Sequence, residues 1–479
     1  MLEAVIIIAS SLALLIMILV VRALCFKPEK KASESSEPIF VDSARATENL
    51  REMIKCKTVS DRNKELEDEA EFKKFKELLP KLFPNVFSKC EYEEVGDRAI
   101  LIKWQGRESN SPTVLMAHYD VVSVAEEKWD KPAFSGILEN GVLWGRGTLD
   151  TKATLNGILT ASEELIKNGF VPKNDIFMAF GGDEEINGHG APDIVNLFVE
   201  RNIIPGVVID EGGAVVEGVF PGVKKQCALI GIAEKGMLNV EYSVSGGGGH
   251  ASSPAPHTPV GKLSAACVRM ENKPFKFRIS APAKKMFNTL ARHSTFLYRL
   301  IFANLWLFSP VLNILTKKTG GELNAIVRTT TAFTQMEGSK GMNVIPPYAR
   351  MVSNHRIIPG DTMESVVERI KKTTKKCGVE VNVINGMNPS RISVTEGEAW
   401  DRLSLAISNT WQGAIVSPYL MVACSDSRHW GRISDKVYRF SAMALSKEER
   451  STIHGNNERI PVETIAKTVE FYTRIIKKS

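Results

Sequence analysis

Hydrophobic and polar positions change their period several times along this chain, and the changes divide it into elements. Ala4 to Val21 runs without a charge, and only Ser10 and Ser11 interrupt it. With Ala23 to Phe26 beyond Arg22, a helix here covers about 30 Å of hydrocarbon, which predicts a transmembrane anchor over residues 1–26. A cleaved signal peptide would want positive charge before the apolar run; Glu3 stands there instead, and no small-x-small site follows cleanly. Arg22, Lys27, Lys30 and Lys31 lie on the C-terminal flank, so the positive-inside rule places a single-pass protein with its globular body on the cytoplasmic side. Residues 27–40 are rich in Ser, Glu and Lys without periodicity, as suits a flexible linker.

From Asp42 the period becomes helical, with Asp42 or Ser43 as N-cap and Leu50, Met53 and Ile54 on one side. A second helix is expected over roughly 65–79. Short apolar runs follow at Ala99–Trp104, Thr113–Ala117, Asp175–Phe180 and Gly206–Ile209, alternating with helical stretches such as the one ending near Lys167. Strands alternating with helices predict a mostly parallel α/β sheet flanked by helices, whose ligands gather at the carboxyl ends of the strands. Residues 236–361 read as an inserted α+β domain opened by the alternating strand Met237–Val244. The main sheet layer is expected to take up residues 41–235 and to resume over 362–479. Phe296–Leu315 is apolar and aromatic, but Arg299 and Pro310 argue against a second span. Two readings stay open for it: a buried helix pair, or a greasy surface that lines an apolar channel or touches the bilayer near the anchor.

Composition adds little. The chain has 479 residues, 43% hydrophobic and 24% charged, with a net charge of +6 spread along its length. That is ordinary globular chemistry, and no motif points to nucleic acid. Seven scattered cysteines, odd in number and without Cys-x-x-Cys spacing, make neither a disulfide framework nor a cysteine zinc site.

The candidate chemistry lies where the strands end. Glu184 and Glu185 follow Gly181, Gly182 and Asp183 after the third run, and adjacent carboxylates repel unless a cation or a proton sits between them. His118 and Asp120 end the second run two residues apart, so they point the same way and the carboxylate can fix the imidazole tautomer. Asp150, in GRGTLDTK, is either a ligand or the N-cap of the next helix. Asp210 ends the fourth run. Four acidic or imidazole strand ends on one sheet edge point to a metal. Carboxylate and imidazole donors without thiolates suit two Zn2+ ions, with Mn2+ or Co2+ as substitutes.

His118-x-Asp120, Gly147-x-x-Asp150, Glu184-Glu185 and Asp210 resemble the zinc-peptidase family of glutamate carboxypeptidase, aminoacylase and yeast carboxypeptidase S. The contexts GRGTLDTK, GGDEE and VVIDEGG look most like the carboxypeptidase S branch, with its N-fatty-acyl-amino-acid synthase/hydrolases. The resemblance covers almost everything after residue 40. It implies that Asp150 bridges two metals, with His118 and Asp210 completing one site. Glu185 and His454, in the run Thr452-Ile453-His454-Gly455-Asn456-Asn457-Glu458, complete the other. His429 competes with His454 for that place. Glu184 is then the general base and Asp120 supports His118. The inserted domain becomes a lid and homodimerisation domain, whose His250 polarises the substrate carbonyl while Asn343 and Arg356 hold its free carboxylate. The implied substrate is a small peptide or an N-acyl amino acid. An N-acyl-amino-acid hydrolase/synthase for lipophilic acyl groups is one alternative. An inactive membrane-tethered binding protein is another, against which every matching position holds a chemically competent residue.

Overall fold

The computed structural model describes residues 1–28 and 37–479; the expectations placed on Lys30, Lys31 and the middle of the 27–40 linker lie outside them. The N-terminal apolar run is one helix, α1 (Leu2–Cys25), long and apolar enough to cross a membrane. Helix α2 (Ser43–Ile54) starts at Asp42, whose carboxylate accepts the Arg45 N–H at 3.0 Å, a standard N-cap.

The catalytic layer is an eight-stranded sheet. Its strands are β1 (Glu91–Val95), β2 (Ala99–Trp104), β3 (Glu108–His118), β4 (Asn174–Gly181), β5 (Val207–Val216), β6 (Cys227–Glu234), β11 (Ile415–Met421) and β12 (Val437–Ala444), with β7 to β10 in the second sheet below. The spatial order is β1-β2-β4-β3-β5-β12-β6-β11. The neighbours β4-β3, β3-β5, β5-β12 and β6-β11 are parallel, which makes the sheet mostly parallel. The period-two alternation of these strands divides their side chains between two faces. Ile100, Ile102, Leu115 and Met178 pack with Leu155, Ile158 and Leu159 of α3 (Lys152–Lys167). Leu101, Val114, Met116 and Phe177 pack on the other face with Ile194, Val195 and Phe198 of α4 (Gly190–Glu200). Both faces are thus covered, as a parallel sheet requires. The C-terminal helix, α11 (Val462–Lys477), closes the first face beside α3.

The second domain is a four-stranded antiparallel sheet of β7 (Gly236–Ser245), β8 (Thr330–Glu337), β9 (Tyr348–Ile357) and β10 (Glu380–Met387), ordered β8-β9-β7-β10. Helices α5 (Pro259–Asn272) and α9 (Met363–Thr374) pack on it through Leu263, Met270, Val366 and Ile370. Two boundaries differ from expectation. The chain does not return to the catalytic layer at 362, because β10 pairs with β7 along its length and α9 covers the same sheet; it returns at Ser390–Val394, where the Ser390 and Ser393 N–H groups donate to the Glu234 and Ile232 carbonyls of β6, and goes on into α10 (Glu398–Thr410), packed against α11 and β11. The insertion does not belong to the lid. Helix α6 (Ala281–Arg292) packs on β11, and α7 (Phe296–Ala303) and α8 (Leu305–Thr319) bury Phe302 and Leu312 in the catalytic core.

Candidate metal centre and active site

β3 and β4 end level with each other, with His118 opposite Gly181. His118 is buried. Its Nδ1 lies 3.0 Å from the Asp120 carbonyl oxygen and 3.3 Å from Asp120 Oδ1, so the Nδ1–H donates there. Asp120 also accepts the Ser60 hydroxyl at 2.7 Å and the backbone N–H groups of Glu184 (3.2 Å) and Glu185 (3.1 Å). One carboxylate therefore orients the imidazole and the double-glutamate turn together. That leaves His118 Nε2 facing Asp150 Oδ1 at 3.1 Å and Glu211 Oε1 at 3.5 Å.

The Asp150 loop is built by glycine and by a distant glutamate. Gly147 has φ +86°, and a Cβ there would meet Val121 Cγ1 at 2.9 Å, so only glycine makes this turn without strain. Arg459–Pro461 pairs with Val142–Trp144 and carries Glu458 into the loop. Its buried carboxylate accepts N–H bonds from Gly147 (3.1 Å), Leu149 (2.7 Å) and Asp150 (3.2 Å), and from Arg146 Nη1 at 2.6 Å. The N-cap of α3 is Thr151, so Asp150 is free of that duty. Its second oxygen, Oδ2, lies 2.9 Å from His454 Nε2, which is also 3.0 Å from Glu185 Oε2. Asp150 thus stands between two imidazoles with one oxygen toward each.

The electrostatics are those of a cation site. Burial opposes ionisation of Asp150, yet the bonds to His118 and His454 hold its carboxyl well below the ordinary range. Bonds to Asp150 and Glu185 push the His454 imidazole up to about 10. Burial first, then the charges of Glu211, Asp426 and Glu185, hold the Glu184 carboxyl well above its usual value against the pull of His118. Burial and Asp150 push Glu211 up to about 8. Glu185 Oε1 is buried without a hydrogen-bond partner. So many carboxylates in one buried cluster are costly unless divalent cations share them. Two overlapping donor groups have the spacing to hold ions, His118–Asp150–Glu185 and His118–Glu184–Glu211, with donor atoms within 4.8 Å of one another. The residues fit metal.

Most of the expected residues meet here, and Asp210 is the correction. β5 does not stop at Asp210 but runs on to Val216, with a register break against β12 between Asp210 and Gly213. At that pleat the Asp210 carboxylate turns aside and accepts the Ser427 N–H at 3.0 Å, while its neighbour Glu211 reaches His118. His429 is not in the cluster; burial, with Arg428 and Arg432 beside it, lowers its imidazole to about 4. His250 and Asn343 are also elsewhere. Gly249–His250 pairs with Val344–Ile345, the Ala251 N–H donates to the Asn343 carbonyl at 2.9 Å, and both residues are exposed on the lid. Among the described residues no hydrogen bond or ion pair joins either to the cluster. Arg356 sits at the joint between the layers, with Nη1 3.5 Å from Cys424 Sγ.

Three residues of the site stand inside recognisable motifs but carry no role in the sequence reading. Glu211 hides beside another acid, and Glu458 acts through the fold. Asp426 lies in the Ser425–Ser427 loop, which Glu234 holds by accepting the Ser425 N–H at 3.2 Å. Burial and Asp210 raise the Asp426 carboxyl well above its usual value.

Residues 114–478 match the family described as Peptidase family M20/M25/M40. An N-fatty-acyl-amino acid synthase/hydrolase of Xenopus tropicalis, PM20D1, is 36% identical over 98% of this chain and 93% of its own length. A probable carboxypeptidase S-like 2 of Dictyostelium discoideum is 31% identical over 99% of this chain and 94% of its own. Among solved structures, the M20 family metallo-carboxypeptidase Sso-CP2 of Sulfolobus solfataricus shares the fold, with a TM-score of 0.68, 18% identity and coverage of 91% of this chain and 99% of that one.

Proposed function

Since the chain belongs to the M20/M25/M40 peptidase family, a family of metal-dependent amide hydrolases, we propose that it cleaves the amide bond to an amino acid whose α-carboxylate is free. The observation that carries this is Asp150, with one oxygen on His118 and the other on His454. In this reading Asp150, with its two oxygens turned to opposite imidazoles, would help to hold two divalent ions, zinc by the nitrogen and oxygen donor set. His118 and Glu211 would hold one of them, and Glu185 and His454 the other. When bound, the ions lower the pKa of a water and polarise the scissile carbonyl.

The chain's own residues do the rest. Glu184 neighbours the ligand Glu185 on the turn that Asp120 holds, and as a carboxylate not needed for the second ion it is placed to take a proton from the attacking water and pass it to the leaving amine. Asp120 fixes the His118 tautomer so that Nε2 faces the site. Arg356, at the joint of the layers, presents a planar fork suited to the substrate carboxylate. His250 and Asn343 share an exposed lid edge, which suits service in a site completed by a second chain, so the lid is a dimerisation surface in this reading. Helix α1 anchors the protein as a single span, with Arg22 and Lys27 on its C-terminal flank and the body on the cytoplasmic side.

The names of the relatives divide between acyl amino acids and peptides. The exposed apolar surface of α7 and α8 favours lipophilic acyl groups. The test is a panel on the zinc-loaded full chain: long- and short-chain N-acyl amino acids, and peptides with free or amidated C-termini. Cleavage is expected to require the free carboxylate and to be fastest with long acyl chains. Equal cleavage of amidated substrates contradicts the proposal; preference for free peptides keeps the chemistry and removes the lipid preference.

A further inference from the structure

Helices α7 and α8 are clasped to the N-terminal helix. They meet at Asn304 with a bend of 108°. Asn304 is fully buried, and its amide is shared between the elements: Nδ2 donates to the Leu19 carbonyl of α1 at 3.1 Å and to the Leu300 carbonyl of α7 at 2.9 Å. Its Oδ1 accepts from Arg22 Nε at 3.0 Å, and Arg22 Nη2 donates to the Ala303 carbonyl at 3.0 Å. A buried amide keeps its place only while its partners do. On the inner side Phe302 packs against Phe220 and Phe287 with ring centroids 4.7 and 5.4 Å apart. The bend is therefore fixed both to the catalytic core and to the last turns of α1.

The outer side is apolar and open. Leu297, Trp306, Val311 and Ile314 are 65%, 60%, 60% and 61% exposed. Charge is one-sided. Residues 281–321 contain no Asp or Glu but include Lys284, Lys285, Arg299, Lys317 and Lys318. Apolar side chains beside basic ones, in a segment without acids, are the pattern of a helix lying in an anionic membrane interface. The bend prevents the pair from crossing the membrane as one straight helix. Since the clasp grips α1 at Leu19 and Arg22, near the end of its uncharged run, the pair sits where hydrocarbon gives way to headgroups, the depth that suits an exposed tryptophan.

We propose that α7 and α8 form a second, interfacial membrane contact, continuous with the α1 anchor, which seats the catalytic body against the lipid surface in one fixed orientation. The occupant of the apolar face is the bilayer. A second copy of the chain on that face is the competing outcome.

The test uses the full chain reconstituted in vesicles of phosphatidylcholine and phosphatidylglycerol whose acyl chains carry bromine either near the headgroup or near the terminal methyl. Tryptophan emission is measured for wild type and Trp306→Phe. Trp306 is the one strongly exposed tryptophan among the described residues, and the substitution is conservative at a surface position. Because α1 holds both proteins on the membrane, a difference between them reports Trp306 alone. Shallow bromine is expected to quench wild-type emission more than deep bromine does, and Trp306→Phe should lose most of that quenching. Equal quenching of both proteins, or none, overturns the proposal. Absent quenching together with crosslinking between Leu315→Cys chains would assign the face to a second copy instead.

Discussion

At the scale of single residues, the site depends on which way carboxylates turn. Asp120 touches no substrate, yet it receives His118 and the N–H groups of both Glu184 and Glu185. Asp120→Asn is expected to fold but to bind zinc about 10–100-fold more weakly in competition with a chelator, the usual effect of disturbing a ligand's support. Unchanged zinc affinity would show that His118 needs no orientation. Much of this is legible in the sequence. His118, Asp150 and Glu184–Glu185 each stand at a strand end with a chemical reason, His454 is implied by the family resemblance alone, and the structure brings all five together. Asp210 misleads because Asp and Glu stand side by side in VVIDEGG. Which of them faces the site depends on a pleat set by the register break between Asp210 and Gly213, and local spacing does not reveal that. Glu458 stands in a recognisable run beside His454, but its hold on the Asp150 loop reaches across some three hundred residues of chain.

At the scale of elements, the lid is a sheet whose inner face holds a buried histidine. His355 on β9 has Nδ1 3.0 Å from Thr331 Oγ1 and Nε2 2.8 Å from Ser353 Oγ, with the Phe275 ring against it. Burial lowers its pKa to about 4. The unfolded chain binds this proton near 6.5, so between those values it holds more protons than the folded one, and stability falls as pH drops from about 6.5 toward 4. For one proton the loss approaches about 1.4 kcal/mol per pH unit inside that window. Thermal unfolding of wild type across that window should show the slope, to which the likewise lowered His429 adds, and His355→Gln should reduce it; an equal slope in both would place the titration elsewhere. The lid's limits are less legible than its strands. An amphipathic helix and strand after residue 361 suit either sheet equally, and only the pairing of β10 with β7 assigns them to the lid. For the same reason the apolar pattern of α6 to α8 gives no sign that their buried side faces the catalytic core rather than the lid.

For the whole molecule, three parts are joined to one parallel sheet. The catalytic layer holds the charged cluster, the lid brings Arg356 to its border, and the clasp at Asn304 ties the core to the apolar N-terminal helix. The cluster's net negative charge means that the folded protein is stabilised by whatever cations it binds, and the chemistry needs one carboxylate left over to move protons. In the proposed mechanism Glu184 has that task and its neighbour Glu185 holds metal. Glu184→Gln separates the two roles. Bound zinc per chain and turnover of an N-acyl amino acid are measured together on this variant and on wild type. Zinc is expected to stay at two ions per chain in both, while turnover in the variant falls by at least about 100-fold. Turnover near wild type, or a loss of zinc that accounts for the fall, would contradict the division of labour between the two glutamates.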